Sequence, residues 1–142
     1  MESIMSDYER ALKVSKWRRE HPDDSYPEWA NLSKTDLHGV DLYEATLHGA
    51  DLFKANLSGA NLYGADLHEA NLYGSDLSEA NLYGASFRGA DLREANLRGA
   101  DLDWADFFGA DLEGAYLTNA ILTNAILGMW EVGPDGYAKK RQ

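Results

Sequence analysis

Four kinds of side chain recur in this sequence at spacings that could do chemistry. His48 and His68 stand twenty residues apart with Glu69 beside the second, and two imidazoles with a carboxylate are donor types that transition metals accept. Arg88, Arg93 and Arg98 follow at five-residue steps, so a guanidinium belt could hold an anionic ligand or an acidic protein surface. Tyr43, Tyr63 and Tyr83 repeat every twenty residues, as do Phe53 and Tyr73, and flat aromatic columns suit protein contact. Finally, 24 acidic against 13 basic residues give a formal charge of −11, a strongly acidic surface.

Each group also has a plainer account. The histidines read as a solvated ladder and the arginines as charge balance for Asp91 and Glu94. The aromatic columns could simply stabilise neighbouring segments. Carboxylate pairs carry no diagnostic value, because Asp and Glu recur wherever the underlying repeat recurs. No Ser-His-Asp spacing, phosphate loop or paired ligand motif stands out, and the absence of cysteine removes thiol chemistry and disulfides. No catalytic, cofactor-binding or metal-ligating residue is assigned, and no cofactor is expected.

What must position these groups is a five-residue beat running from Ala30 to Met129. Its centres are Leu32, Leu37, Leu42 and onward to Leu127, with Phe87 and Phe107 the two exceptions. The residue two before each centre is Ala except at Thr35, Val40 and Ser75. The residue one before is mostly Asp or Asn. On a helix a five-residue step turns the side chain about 140° beyond a full turn, so the centres would spiral instead of forming a stripe. On one long strand, odd spacing would throw successive centres to opposite faces. A chain that turns a corner once per repeat satisfies the pattern, pointing every Leu and Ala at a common axis. Gly59, Gly64 and Gly84 at the corners admit the positive φ of a type II turn. Glu44, Glu69 and Trp104 at equivalent places predict a second turn type.

Runs such as Ala50-Asp51-Leu52, Ala60-Asn61-Leu62 and Ala100-Asp101-Leu102 resemble the A(D/N)Lxx signature of pentapeptide-repeat proteins, over about 100 of the 142 residues. The resemblance implies an all-β solenoid, a right-handed quadrilateral β-helix with four repeats per coil. That makes about five coils in a rod roughly 24 Å long at the usual strand spacing. Inside the sequence, Phe87 and Phe107 favour a twenty-residue coil over a ten-residue alternation, since Leu97 lies between them.

Three segments follow. Residues 1–29 read as an N-terminal helical cap and leader. Ser6 and Glu9 form a capping box, the helix runs to about Glu20, and Pro22 stops it; Tyr8, Ala11, Leu12 and Ser15 share its face. The stretch from Trp17 to Leu32 is similar to the helical leader of many cyanobacterial members. Residues 30–129 form the β-helix and 130–142 a tail. Near the end of the beat the outward positions turn apolar at Tyr116, Ile121 and Ile126, followed by Met129 and Trp130. Two readings fit this collar. Either the tail folds back over it, turning at Gly133-Pro134-Asp135-Gly136, or it joins two copies, as in the gyrase-protecting members that the resemblance brings in.

Some members of the resembled family imitate DNA and occupy DNA gyrase. Here the charge would amount to about one per 2 Å of rod, near the one per ~1.7 Å of duplex DNA. The acidic residues spread over all four sides, however, which solubility and turn bonding already require. An acidic surface also argues against direct binding to nucleic acid. With no apolar run of signal or membrane-spanning length, a cytoplasmic location away from membranes is expected. The reading adopted is a non-enzymatic scaffold for an unidentified protein partner. A DNA mimic acting on a topoisomerase is the alternative, and a purely structural unit the third.

Overall fold

In the computed structural model, which describes residues 4–142, the beat closes into a four-sided tube. Fifteen parallel bridges tie the residue before one centre to its counterpart twenty positions on, from Asp36–Asn56 to Asp106–Ile126. Four repeats therefore make one coil, and the centres from Leu32 to Leu127 make five. Each side is stitched to the next coil in a repeating way: Leu42 N donates to Asn61 O, Glu44 N to Tyr63 O, and Asn61 N to Val40 O, all at 2.8 Å. Every strand edge within the rod is thereby paired, as buried backbone requires.

The axis is filled by stacked side chains. Centres from Leu32 to Leu117 are buried, and the Phe87 and Phe107 rings lie parallel within that column, 4.8 Å apart at 4°. Full burial of each Leu contributes about 1.5–3 kcal/mol, so the column is the main source of cohesion.

At the corners both residue classes adopt the same sign of φ. Glu44, Glu69 and Trp104 have φ of 52°, 57° and 63°, close to the 66°, 65° and 68° of Gly59, Gly64 and Gly84. Non-glycine and glycine corners thus share the left-handed φ at this position, closed by bonds such as Ala45 N to Leu42 O at 3.0 Å. The left-handed conformation costs a non-glycine residue about 1–2 kcal/mol, which the surrounding ladder imposes regardless of residue type. The Asp or Asn before each centre does a second job. Its side-chain oxygen accepts from the amide two residues on, as Asp41 does from Tyr43 and Asn61 from Tyr63, both at 3.2 Å. The dispersed acidity is thus tied to corner building.

Helix α1, Asp7–Glu20, closes the first coil. Ser6 and Glu9 form the reciprocal capping box, and Ala11, Val14, Ser15 and Arg18 make the buried stripe at helical spacing. Leu12, expected on that stripe, is exposed, and Arg18 is buried in its stead. The chain then passes through a 3-10 turn, Glu28–Ala30, into the first side.

At the other end strands β1, Trp130–Val132, and β2, Ala138–Lys140, form a hairpin. It turns within Gly133–Gly136, where Gly136 N donates to Gly133 O at 3.0 Å. The tail folds back, but over only part of the last coil.

Candidate functional site

The four sides differ in what they display. On the side centred on Leu42, Leu62 and Leu82, the Tyr43, Tyr63 and Tyr83 rings stack at 5.3 and 5.2 Å with interplanar angles of 11° and 7°. The fourth place in the column is Asp103, whose carboxylate accepts from Asn124 N and Nδ2 at 3.0 and 2.8 Å. The Glu44 carboxylate pushes the Tyr43 phenol above its ordinary value, so this ring stays neutral well past physiological pH. On the opposite side Phe53 stacks on Tyr73 at 5.7 Å, and Arg93 lies over the Tyr73 ring at 5.1 Å. Glu94 raises the Tyr73 phenol in the same manner.

The arginines are not a belt of three free cations. Arg93 donates to Asp91 at 2.7 Å and approaches Asp111 at 4.0 Å. This hydrogen bond holds the Asp91 carboxyl below its usual range and raises the Arg93 guanidinium. Arg88 pairs with Asp106 at 3.0 Å and covers the Phe108 ring at 4.8 Å. Arg98 makes no ion pair among the described residues. The expected balance with Asp91 is present, the one with Glu94 is not formed among the described residues, and Asp106 was not foreseen as a partner.

The collar also divides. Trp130 is buried, and its indole Nε1 donates to Ala110 O at 3.0 Å. One coil earlier the equivalent carbonyl, Ala90, accepts from Asp111 N, so the indole stands in for a backbone donor where the chain leaves the coil. Tyr116 is bridged antiparallel to Tyr137, and Leu117 N donates to Gly136 O at 2.7 Å. These bonds seal two sides. On the other two, Ile121 and Ile126 remain exposed with Met129 at the corner. Trp104 and Phe108, one coil below, extend the same end; the five are 50–61% exposed. Sequence reading treated Trp104 as a corner residue only and passed over Phe108. Placing them on twenty-residue coils would have put them at the two corners that flank the Phe107 side, directly under Asn124 and Gly128.

The histidine side holds a further group. The His48 and His68 rings stack at 4.5 Å and 11°, and the acid between them is Asp66 instead of the expected Glu69. His68 Nδ1 lies 2.6 Å from Asp66 Oδ1, and His48 Nδ1 lies 3.4 Å from Asp66 Oδ2.

A tube whose axis is filled by stacked Leu, Phe and Ala side chains defines a right-handed quadrilateral β-helix. The pentapeptide-repeats family matches in eight copies over residues 28–59, 60–99 and 100–128, and the chain belongs to that family. It is similar to a pentapeptide repeat protein from the thylakoid lumen of Arabidopsis thaliana, with 38% identity and a TM-score of 0.66, over 67% of this chain and 66% of that one. It is also similar to HetL, a pentapeptide repeat protein involved in heterocyst differentiation regulation from the cyanobacterium Nostoc sp. strain PCC 7120. That match has 31% identity, covers 78% of this chain and 66% of HetL, and has a TM-score of 0.35. The likeness to QnrB1, a plasmid-mediated fluoroquinolone resistance protein, is one of fold alone, at 22% identity, 78% and 57% coverage and a TM-score of 0.47. No match is found among the curated proteins.

Proposed function

We propose that the protein is a non-catalytic interaction scaffold. Its main contact surface would be the C-terminal corner of the rod, continued toward the cap by the tyrosine column. The observation that carries this is the gathering of Trp104, Phe108, Ile121, Ile126 and Met129 on the end that the tail leaves open. Large apolar side chains scattered singly need no explanation, but a group at one place marks a contact site. Trp is also the residue type most enriched where binding energy concentrates. The open sides add unpaired strand edges, since among the described residues no partner coil follows Leu122 and Leu127, and such edges invite pairing with another chain. The occupant is a protein, either a second copy meeting this end or a different chain. A DNA mimic on gyrase is not favoured, because aspartate carboxylates are engaged at corners on every side.

Light scattering on the intact chain and on an Ile121→Asp, Ile126→Asp variant, with circular dichroism as the folding check, separates the two occupants. A dimer that becomes a folded monomer assigns the end to self-association. For a monomer, a photo-cross-linker at position 104 should capture a protein from the source extract that one at position 98 does not. Equal capture at both positions would overturn the assignment. The cytoplasmic placement expected from the sequence remains part of this proposal. The lumenal source of the Arabidopsis protein supplies the competing compartment, and cell fractionation decides between them.

A further inference from the structure

We infer that His48, Asp66 and His68 form a site for a transition-metal dication of the zinc type, bridging the first two coils beside the cap. The inference starts from a proton. His48 Nε2 lies 3.0 Å from Pro22 O, and a carbonyl only accepts, so Nε2 carries the hydrogen and a neutral ring keeps its lone pair on Nδ1. That Nδ1 is buried without a hydrogen-bond partner. It faces the Asp66 carboxylate at 3.4 Å. A lone pair aimed at a carboxylate oxygen is repulsive unless a proton or a metal cation lies between them, and a metal ion is the one of the two that also engages His68. The separation is close to the ~3.3 Å edge of a tetrahedron with metal–ligand bonds of about 2.0–2.1 Å.

The third donor is in reach. His68 Nδ1 donates to the other Asp66 oxygen at 2.6 Å, a proton that an incoming ion would displace, and the ligand atoms of all three residues fall within 4.8 Å of one another. The rings are nearly parallel, so convergence on one ion needs a tilt. His68 has the freedom to supply it: its side chain is 40% exposed, whereas that of His48 is 18% exposed. His48 is held from two directions, by its Nε2 bond to Pro22 and by Tyr26 Oη donating to its carbonyl at 2.7 Å. A backbone carbonyl on the far nitrogen is the usual outer support of a ligating histidine. An open groove of about 500 Å³, bordered by Asp23 and Glu69, gives an ion and its remaining water ligands access. Two nitrogens and one oxygen suit zinc and its neighbours over calcium or magnesium. Bound there, the ion would fasten the first coil to the second at the place where the cap loop meets them.

The test is calorimetric titration of the chelator-stripped intact protein with zinc chloride. One ion per chain should bind, with the thermal midpoint rising as zinc is added. Asp66→Asn should weaken binding at least ~100-fold, since outer-support changes alone cost 10–100-fold. The amide retains the corner bond, as Asn56 does for Ser58 N at 3.0 Å, so the variant should fold. His68→Gln should behave alike, while His38→Gln, which removes an exposed histidine elsewhere, should bind as wild type. Imidazole NMR signals of His48 and His68 should move with zinc and those of His21 and His38 should not. Absence of stoichiometric binding, or equal affinity in Asp66→Asn and His38→Gln, would overturn the site and leave the histidines a ladder.

Discussion

The two ends of the rod meet the same problem, a coil with no neighbour, and solve it differently. At the N-terminal end side chains from outside the repeat replace the missing strand group by group. Asp7 accepts from Asp36 N at 2.8 Å, Ser15 accepts from Thr46 N at 2.9 Å, Tyr8 donates to Asp41 O at 3.0 Å, and Tyr26 donates to His48 O at 2.7 Å. Arg18 secures the loop that follows, donating from one nitrogen to the carbonyls of His21, Pro22 and Asp24 while its guanidinium lies 3.8 Å from the Tyr26 ring centre. At the C-terminal end the hairpin covers two sides and leaves two bare. A solenoid must shield its ends to stay soluble. An end sealed on all sides serves stability alone, and one sealed by half can both hold the fold and offer an edge.

This contrast can be broken by substitution. Trp130→Ala should cost most, about 3–5 kcal/mol by urea denaturation, since a buried aromatic and the donor to Ala110 are lost together. Hydrogen exchange should then show the last coil opening ahead of the rest. Arg18→Ala should cost about 2–3 kcal/mol, because three carbonyls lose a charged donor, with the faster exchange confined to the first coil. Ser15→Ala strips the acceptor from Thr46 N and should cost about 1–2 kcal/mol. In the middle of the rod the sign reverses. Ser75 fills an alanine place with its hydroxyl buried and unpartnered, so Ser75→Ala should stabilise by about 1 kcal/mol. Ile126→Asn on the bare side should change the stability of a monomer by less than about 0.5 kcal/mol. A larger loss, dependent on protein concentration, would show that this end is covered in solution and would remove the asymmetry.

Acid adds a smaller check on the rod between its ends. Because the Asp91 carboxyl is held below its ordinary value by Arg93, its contribution is present above the unfolded carboxylate pKa and fades as pH falls through the folded one. Arg93→Met should flatten that part of the acid limb in a pH series of thermal midpoints.

The repeat made most of the fold readable in advance. Leu, Ala and the corner residues each answer to a local demand, and repetition multiplies one local solution along the rod, so period and core followed from the chain alone, while the four-repeat coil came from the family resemblance, with Phe87 and Phe107 favouring it. The capping box at Ser6 and Glu9 was equally legible, since its partners lie three residues apart. What the tertiary structure decided lies where the period stops or two coils meet. Whether Trp130 would point out with Ile126 or turn in beneath Ala110 depends on the path of the tail. Arg18 became buried because the cap loop wraps its carbonyls around it. In the sequence Asp66 is one of many Asp or Asn residues that precede a centre, and only coil stacking and the Pro22 carbonyl set it against a histidine lone pair. Repetition carries its own long-range information in the spacing, whereas a non-repeating segment acquires its contacts only when the whole chain has closed.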